Sequence, residues 1–273
     1  MKFPIVLGDT GLLGSAFSRS LANKGADFIG LNRQRVVLVQ NRVRTEFQRK
    51  STDVFSEIEP YVSQDCVVIN TIWGSNNRNE RDSKVQEESL VREISLINQL
   101  ENSSVGYVSF GSIAEINTLE ISPSCNTEYA EAKRLVAECL LKSKLTPLWI
   151  RVASSYGPGD RRNWLVTQLF NSWVKKEELY LENPDQIINL CHVDSLVSAS
   201  LELIHGGHQG IFNATTPQWL TVEAVKNCFN TLREPQYLQR TSGLFSPADL
   251  NQLLITSPPL SEYFATFQKN YKS

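Results

Sequence analysis

The chain has 273 residues, 41% hydrophobic and 21% charged, which suits one large domain, or a domain with a smaller lobe, around an ordinary packed core. Lys and Arg (27) nearly balance Asp and Glu (29), and the formal net charge of -2 excludes the basic field that nucleic-acid binding requires. No apolar run approaches membrane-spanning length and the opening residues lack the apolar segment of a signal peptide, so a cytoplasmic protein without membrane contact is expected.

In chain order, Phe3 to Leu7 is the first predicted strand. It runs into Gly8-Asp9-Thr10-Gly11-Leu12-Leu13-Gly14 and a helical pattern from Leu12 to Lys24 that ends at Gly25. Strand, glycine turn and helix in that order make a phosphate cradle, because the glycines permit close backbone approach and the helix N-terminus faces an anion. Gly8, Thr10, Gly11, Leu12, Leu13 and Gly14 are therefore candidate dinucleotide contacts, although G-x-x-G-x-x-G is not the commoner G-x-G-x-x-G spacing. Asp27 to Leu31 is the second strand, followed by Asn32 and Arg33. Enzymes that select NAD usually place an acidic residue here for the ribose 2′-hydroxyl, whereas an arginine accommodates a 2′-phosphate. No Asp or Glu lies between Leu31 and Val39, so NADP(H) is expected, with Asn32 and Arg33 at its ribose end and Arg35 a second candidate for the 2′-phosphate. The rest of the basic run to Arg49 reads as a solvated face. Val36 to Val39 and Glu46 to Gln48 compete for the next strand.

Cys66 to Thr71 reads as a buried strand, with Thr71 and Trp73 at its far end. Val85, Leu90, Ile94, Ile97 and Leu100 make a helical stripe; Val105 to Phe110 is a strand, Glu128 to Leu141 a helix and Pro147 to Val152 a strand. Strands alternating with helices predict an α/β fold built on a doubly wound parallel sheet covered on both faces. Ligands bind beyond the carboxyl ends of such strands, so the residues after Leu7, Leu31, Thr71, Phe110 and Val152 converge on one crevice. After Tyr156 the pattern is less regular. Residues 1–155 are assigned to a dinucleotide-binding domain and 156–273 mainly to a smaller substrate lobe, with some segments returning to the sheet. The cysteines at 66, 125, 139, 191 and 228 form no C-x-x-C and are expected as reduced thiols; the three histidines form no metal-binding pattern, and no metal is expected.

Tyr129 and Lys133 stand four apart in the predicted helix and share one face. An ammonium one turn from a phenol, with a cofactor cation nearby, favours the phenolate, and such a tyrosine exchanges protons with a carbonyl or alcohol near neutral pH. Ser112, just past the Val105 to Phe110 strand, is placed to hold a substrate oxygen beside Tyr129. Arg161, Arg162 and Asn163 follow Gly157-Pro158-Gly159 and are candidates to meet a diphosphate. His192 and Trp73 are further candidate substrate contacts.

These motifs, taken together and in order, resemble those of the extended short-chain dehydrogenase/reductase family, the NAD(P)-dependent nucleotide-sugar epimerases, dehydratases and reductases. Gly8, Gly11 and Gly14 match its glycine signature, and Tyr129-x-x-x-Lys133 its catalytic pair. Val108-Ser109-Phe110-Gly111-Ser112 with Glu115 is similar to its catalytic-serine segment, Arg151 to Gly159 to its R-x-x-N-x-Y-G-P-G segment, Cys191 to Asp194 to its H-V-D-D segment and Ile211 to Asn213 to its Y-N strand. The resemblance implies a Rossmann-type domain, a C-terminal substrate lobe, a nucleotide-diphosphate sugar as substrate and a homodimer built from two helices per subunit. It also implies that Ser112, Tyr129 and Lys133 are catalytic. The chain departs from the family at Ser89 and Ser154, where asparagines are usual, at Ser195, and in a short segment between Ser112 and Tyr129.

Ile113-Ala114 stands where the family's 4,6-dehydratases carry Asp-Glu. Ala114 replaces the cysteine, and Asp160 to Leu169 lacks the histidine, of members that epimerise beside the keto group. The expected activity is therefore NADPH-dependent reduction of an NDP-4-keto-6-deoxy (or 3,6-dideoxy) hexose for bacterial surface polysaccharide. The alternatives are an NAD-retaining 4-epimerase and a non-catalytic NADP(H) sensor.

Overall fold

The structure, a computed structural model, describes residues 2–63, 65–74, 84–103, 105–116, 127–233 and 251–272. Among these, a nine-stranded sheet carries the molecule. Its centre is made of β1 (Phe3–Leu7), β2 (Phe28–Leu31), β5 (Cys66–Asn70), β6 (Gly106–Ser112) and β7 (Thr146–Val152). One flank is the pair β3 (Arg35–Gln40) and β4 (Val43–Gln48); the other is β10 (Gly210–Thr215) and β12 (Asn251–Leu254). The order β12-β10-β7-β6-β5-β1-β2-β3-β4 is parallel from β12 to β2 and antiparallel at β3 and β4. The chain order reverses between β1 and β5, which opens a crevice at their carboxyl ends, the usual ligand position in such sheets.

The continuously apolar strands are buried on both faces. Val6 and Ile69 point into one core with Phe17, Leu196 and Leu201, beneath α1 (Leu12–Asn23) and α6 (Val193–His205). Ile5, Leu7 and Val68 point into the other with Leu96, Ile97 and Val136, beneath α3 (Lys84–Leu100) and α4 (Thr127–Lys142). The alternation of side chains along a strand splits the core in this way. A third core, around Phe170, Phe229 and Phe264, joins α5 (Leu165–Lys175), α7 (Val222–Thr231) and α8 (Leu260–Lys272). Beside it lies a small sheet of β8 (Ser154–Tyr156), β9 (Ile187–His192) and β11 (Trp219–Thr221), ordered β11-β9-β8.

Both competing segments between Leu31 and Cys66 form strands, as an antiparallel hairpin rather than one strand of a crossover. Asn32 reverses the chain after β2: its Oδ1 accepts from the Gln34 and Arg35 amides at 2.9 and 3.1 Å. Asn41 and Arg42 turn it again at φ 49° and 65°, with the Asn41 amide donating to Asp27 Oδ1 at 2.7 Å. The short α2 (Val54–Ile58), capped by Asp53, leads back to β5.

Candidate active site

Gly8 sits at φ +83°, and the backbone amides of Gly8 and Asp9 donate to Leu31 O at 2.7 and 3.2 Å, which fastens the turn to the end of β2. A Cβ at Gly14 would lie 2.1 Å from Gly8 O, so α1 packs onto the turn only without a side chain there. A Cβ at Gly11 would meet nothing nearer than Gly8 O at 3.4 Å, and Gly11 caps α1 with no side-chain hydrogen bond. The open side of the turn is thus bare backbone at a helix N-terminus, a form that fits a pyrophosphate.

Gly11, Leu12 and Leu13 line one end of a cavity of about 600 Å³ that also takes in Thr71, Trp73, Ser112, Tyr129, Lys133 and Asn163. Gly8 and Gly14 shape the turn from within, and Thr10 is exposed beside it. Thr71 binds the turn from β5, with Oγ1 donating to Leu7 O at 2.6 Å. Asn32 and Arg33 lie outside the cavity at the end of β2, Asn32 buried and Arg33 exposed. Asn32 Nδ2 donates to Asp9 Oδ1 at 2.9 Å, so a carboxylate reaches the β2 end from the glycine turn instead of from β2 itself. Burial raises the Asp9 carboxyl above its ordinary value, against the hydrogen bond from Asn32 and the charges of Arg35 and Arg44.

Ser112 ends β6 and caps the 3-10 turn Ile113–Glu115, its Oγ accepting from the Ala114 amide at 3.2 Å. Glu115 reaches back and accepts from the Ser112 amide at 2.6 Å, and its other oxygen accepts from Trp149 Nε1 at 3.1 Å and Arg151 Nε at 2.9 Å. The Glu115 side chain is fully buried, so the pair with Arg151 is an interior one that holds Ser112 from behind. A Cβ at Gly111 would collide with Glu115 Oε1 at 2.1 Å and Trp149 Nε1 at 2.4 Å.

Lys133 is buried on α4, and its Nζ donates to Phe110 O at 2.6 Å and lies 3.5 Å from the centroid of the Trp73 ring. Desolvation pushes the Lys133 ammonium down to about 8, opposed by the charges of Glu93 and Glu115 and reinforced by that of Arg92. Tyr129, one turn earlier on α4, makes a T-shaped contact with the same Trp73 ring at 6.2 Å between centroids. Trp73 is itself held by donation from Nε1 to Gln86 Oε1 at 2.9 Å. The indole therefore touches both members of the Tyr-Lys pair, a packing role as well as a lining one.

The substrate candidates divide. Asn163 lines the cavity, whereas Arg161 is exposed outside it. Arg162 lines the cavity but is committed internally, to Asp160 and to Ser155 O at 2.6 Å. His192 does not line the cavity. It caps α6, with Nδ1 accepting from the Asp194 amide at 3.4 Å, and its ring packs against both Tyr156 and Tyr263, each at 5.3 Å. Burial lowers the His192 imidazole below its ordinary value. The Cys125 thiol and most of the segment between Ser112 and Tyr129 lie outside the described residues.

Two buried residues escape a reading of motifs. Asn189, on β9, lines the cavity and clamps the turn after β10 through Thr216 and Gln218. Glu93, on α3, is buried under β6, where Ser109 Oγ donates to Oε1. Its only sequence signal is its register: it falls on the inward stripe between Leu90 and Ile97.

The family model described as the NAD dependent epimerase/dehydratase family matches residues 5–214. No curated protein matches the chain. Among solved structures, the chain is similar over 99% of its length, and 97% of the other, to TunA, an NAD dependent-NDP-hexosamine 5,6-dehydratase of tunicamycin biosynthesis, at 16% identity and a TM-score of 0.75. It is similar to RMD from Pseudomonas aeruginosa, complexed with NADPH, over 100% and 99% of the two chains at 13% identity and TM-score 0.72. WbmH from Bordetella bronchiseptica, in complex with NAD+, matches over 100% of both chains at 15% identity and TM-score 0.71. At these identities the likeness is one of fold.

Proposed function

The chain belongs to the NAD-dependent epimerase/dehydratase family, and from that premise we propose that it is an NADPH-dependent reductase of an NDP-4-keto-6-deoxy (or 3,6-dideoxy) hexose. The observation that carries the reading is that the N-terminal end of α1, Ser112, Tyr129 and Lys133 all open onto one cavity. A bound nicotinamide dinucleotide supplies the hydride; the chain's residues supply everything else. The bare backbone of Gly11 to Leu13 receives the pyrophosphate, and Arg33, exposed at the end of β2 with the charge of Arg92 nearby, receives the 2′-phosphate. Ser112 holds the sugar carbonyl oxygen. Tyr129 gives that oxygen its proton as the alcohol forms, and Lys133 stabilises the phenolate left behind and orients the nicotinamide ribose. Asn163 and the neighbouring lobe residues Asn183 and Asn189 line the sugar-nucleotide end. The exposed apolar side chains Val91 on α3 and Leu135 and Leu141 on α4 support a homodimer through these two adjacent helices.

The test is oxidation of NADPH and, separately, NADH with a panel of 4-keto nucleotide sugars. Reduction of at least one sugar with NADPH preferred, and a loss of about 10²–10⁴-fold in kcat for Tyr129→Phe, is expected. Near-normal turnover by that variant would sink the reading. A second reading, an NAD-retaining 4-epimerase, is favoured by Asp9, whose carboxylate stands at the β2 end where a 2′-phosphate is least welcome. It requires protein that releases NAD(H) on denaturation and interconverts 4-epimers without added cofactor.

A further inference from the structure

Lys133 carries its charge into the interior with one carbonyl and two indole faces as neighbours. Two buried carboxylates stand near it. Glu115 is already matched, since Arg151 donates to it from 2.9 Å. Glu93 makes no ion pair among the described residues: its Oε1 accepts from the hydroxyls of Ser109 and, at 3.4 Å, Tyr107, while its Oε2 is buried with no hydrogen-bond partner there. Ser109, which binds Glu93, and Phe110, whose carbonyl binds Lys133, are consecutive residues of β6. One stretch of strand therefore fixes an unmatched carboxylate and an unmatched ammonium behind the same wall of the cavity. A buried charge is tolerated only when another compensates it.

We propose that Glu93 is the counter-charge of Lys133, a positioning residue held on β6 that keeps the ammonium protonated behind Tyr129. The groups that face the pair are Tyr129, Glu115 and Arg92 around Lys133, and Tyr107, Arg92 and the Cys139 thiol around Glu93. Glu93 and Glu115 favour the ammonium; Arg92 and burial oppose it. Burial likewise raises the Glu93 carboxyl, against the charge of Lys133, hydrogen bonding from Ser109 and Asn70, and the charge of Arg92. The consequence for catalysis rests on the role proposed above for Lys133, but the pairing itself does not.

The test therefore reads a titration rather than turnover. Urea unfolding is followed between about pH 6 and 10 for the wild type, Glu93→Gln, Lys133→Met and the double variant. In each background the difference that Lys133→Met makes isolates the lysine. Because the folded Lys133 titrates below its unfolded value, the unfolded chain binds the extra proton above about pH 8, and the lysine-dependent part of stability rises with pH from there. In the Glu93→Gln background that rise is expected to begin about one pH unit lower or more, a tenfold loss of proton affinity. An unchanged onset overturns the proposal. Should Glu93→Gln fail to fold, Glu93→Met, an apolar side chain of similar length, carries the test: its onset is expected to fall by about one pH unit or more, and an unchanged onset overturns the proposal. A displaced onset in Glu93→Gln together with full NADPH-driven reduction by Lys133→Met would retain the pairing and reject the catalytic role of Lys133.

Discussion

A single methyl group separates glycine from alanine, and at position 111 that methyl has nowhere to go. It would enter the contact between Glu115 and Trp149, at 2.1 and 2.4 Å from their polar atoms. Gly111→Ala is expected to displace the buried carboxylate from Arg151 and to destabilise the protein by about 3–5 kcal/mol, the scale of a broken interior ion pair. Urea unfolding checks this, and loss of Ser112 alignment should lower turnover further. His192 makes the second prediction at this scale. Its imidazole titrates below its ordinary value because the fold buries it against Tyr156 and Tyr263. The unfolded chain therefore binds a proton first as pH falls, so the stability His192 contributes is present above about pH 6.5 and lost on acidification below it. His192→Asn, which keeps an acceptor at the helix cap, should flatten the stability curve between about pH 5 and 7. A curve of unchanged slope would refute this.

At the scale of the element, the turn between β2 and β3 shows how one side chain redirects a segment. A crossover helix is the ordinary route between parallel strands. Asn32 instead accepts two following amides and sends the chain back beside β2, while its amide group holds Asp9. Asn32→Ala strands these partners and is expected to cost about 1–3 kcal/mol. Hydrogen exchange should show the loss concentrated in β3 and β4, because β4 is an edge strand whose six residues are all exposed. Uniform loss across the sheet would count against this account. The strands and helices that bear the candidate site were legible in the sequence because their signals are local: apolar runs for β5 and β6, a 3.6-residue stripe for α3 and Tyr129-x-x-x-Lys133 on one helix face. The hairpin was not legible, since β3 and β4 are each plausible strands and only pairing reveals that both form.

Across the whole molecule, two helical layers cover the sheet and a third core packs α5, α7 and α8 together. Arg19 of α1 and Asp194 of α6 pair at 2.9 Å on one outer layer. The other layer, α3 and α4, presents Val91 at 62% exposure with Leu135 and Leu141 at 39% and 40%. If this layer is the subunit interface, light scattering of the wild type gives twice the 30.8 kDa chain mass, and Val91→Asp combined with Leu135→Asp gives a folded monomer. A wild-type monomer would remove that assembly.

The sequence by itself determined the alternating architecture, the glycine turn and the segments that bear Ser112, Tyr129 and Lys133. Each is written in neighbouring residues or in one helical repeat. Tertiary structure alone decided which polar and charged groups meet. Asp9 and Asn32 are 23 residues apart, Glu93 and Ser109 are 16 apart, and Glu115 and Arg151 are 36 apart. It also turned His192 into an aromatic-packed helix cap and bound Arg162 to Asp160, leaving Asn163 at the cavity. Periodicity reports which face of an element is buried, but only the fold brings distant polar groups within hydrogen-bonding distance. Burial shifts the titration of the groups around the candidate site, and those encounters oppose or reinforce that shift.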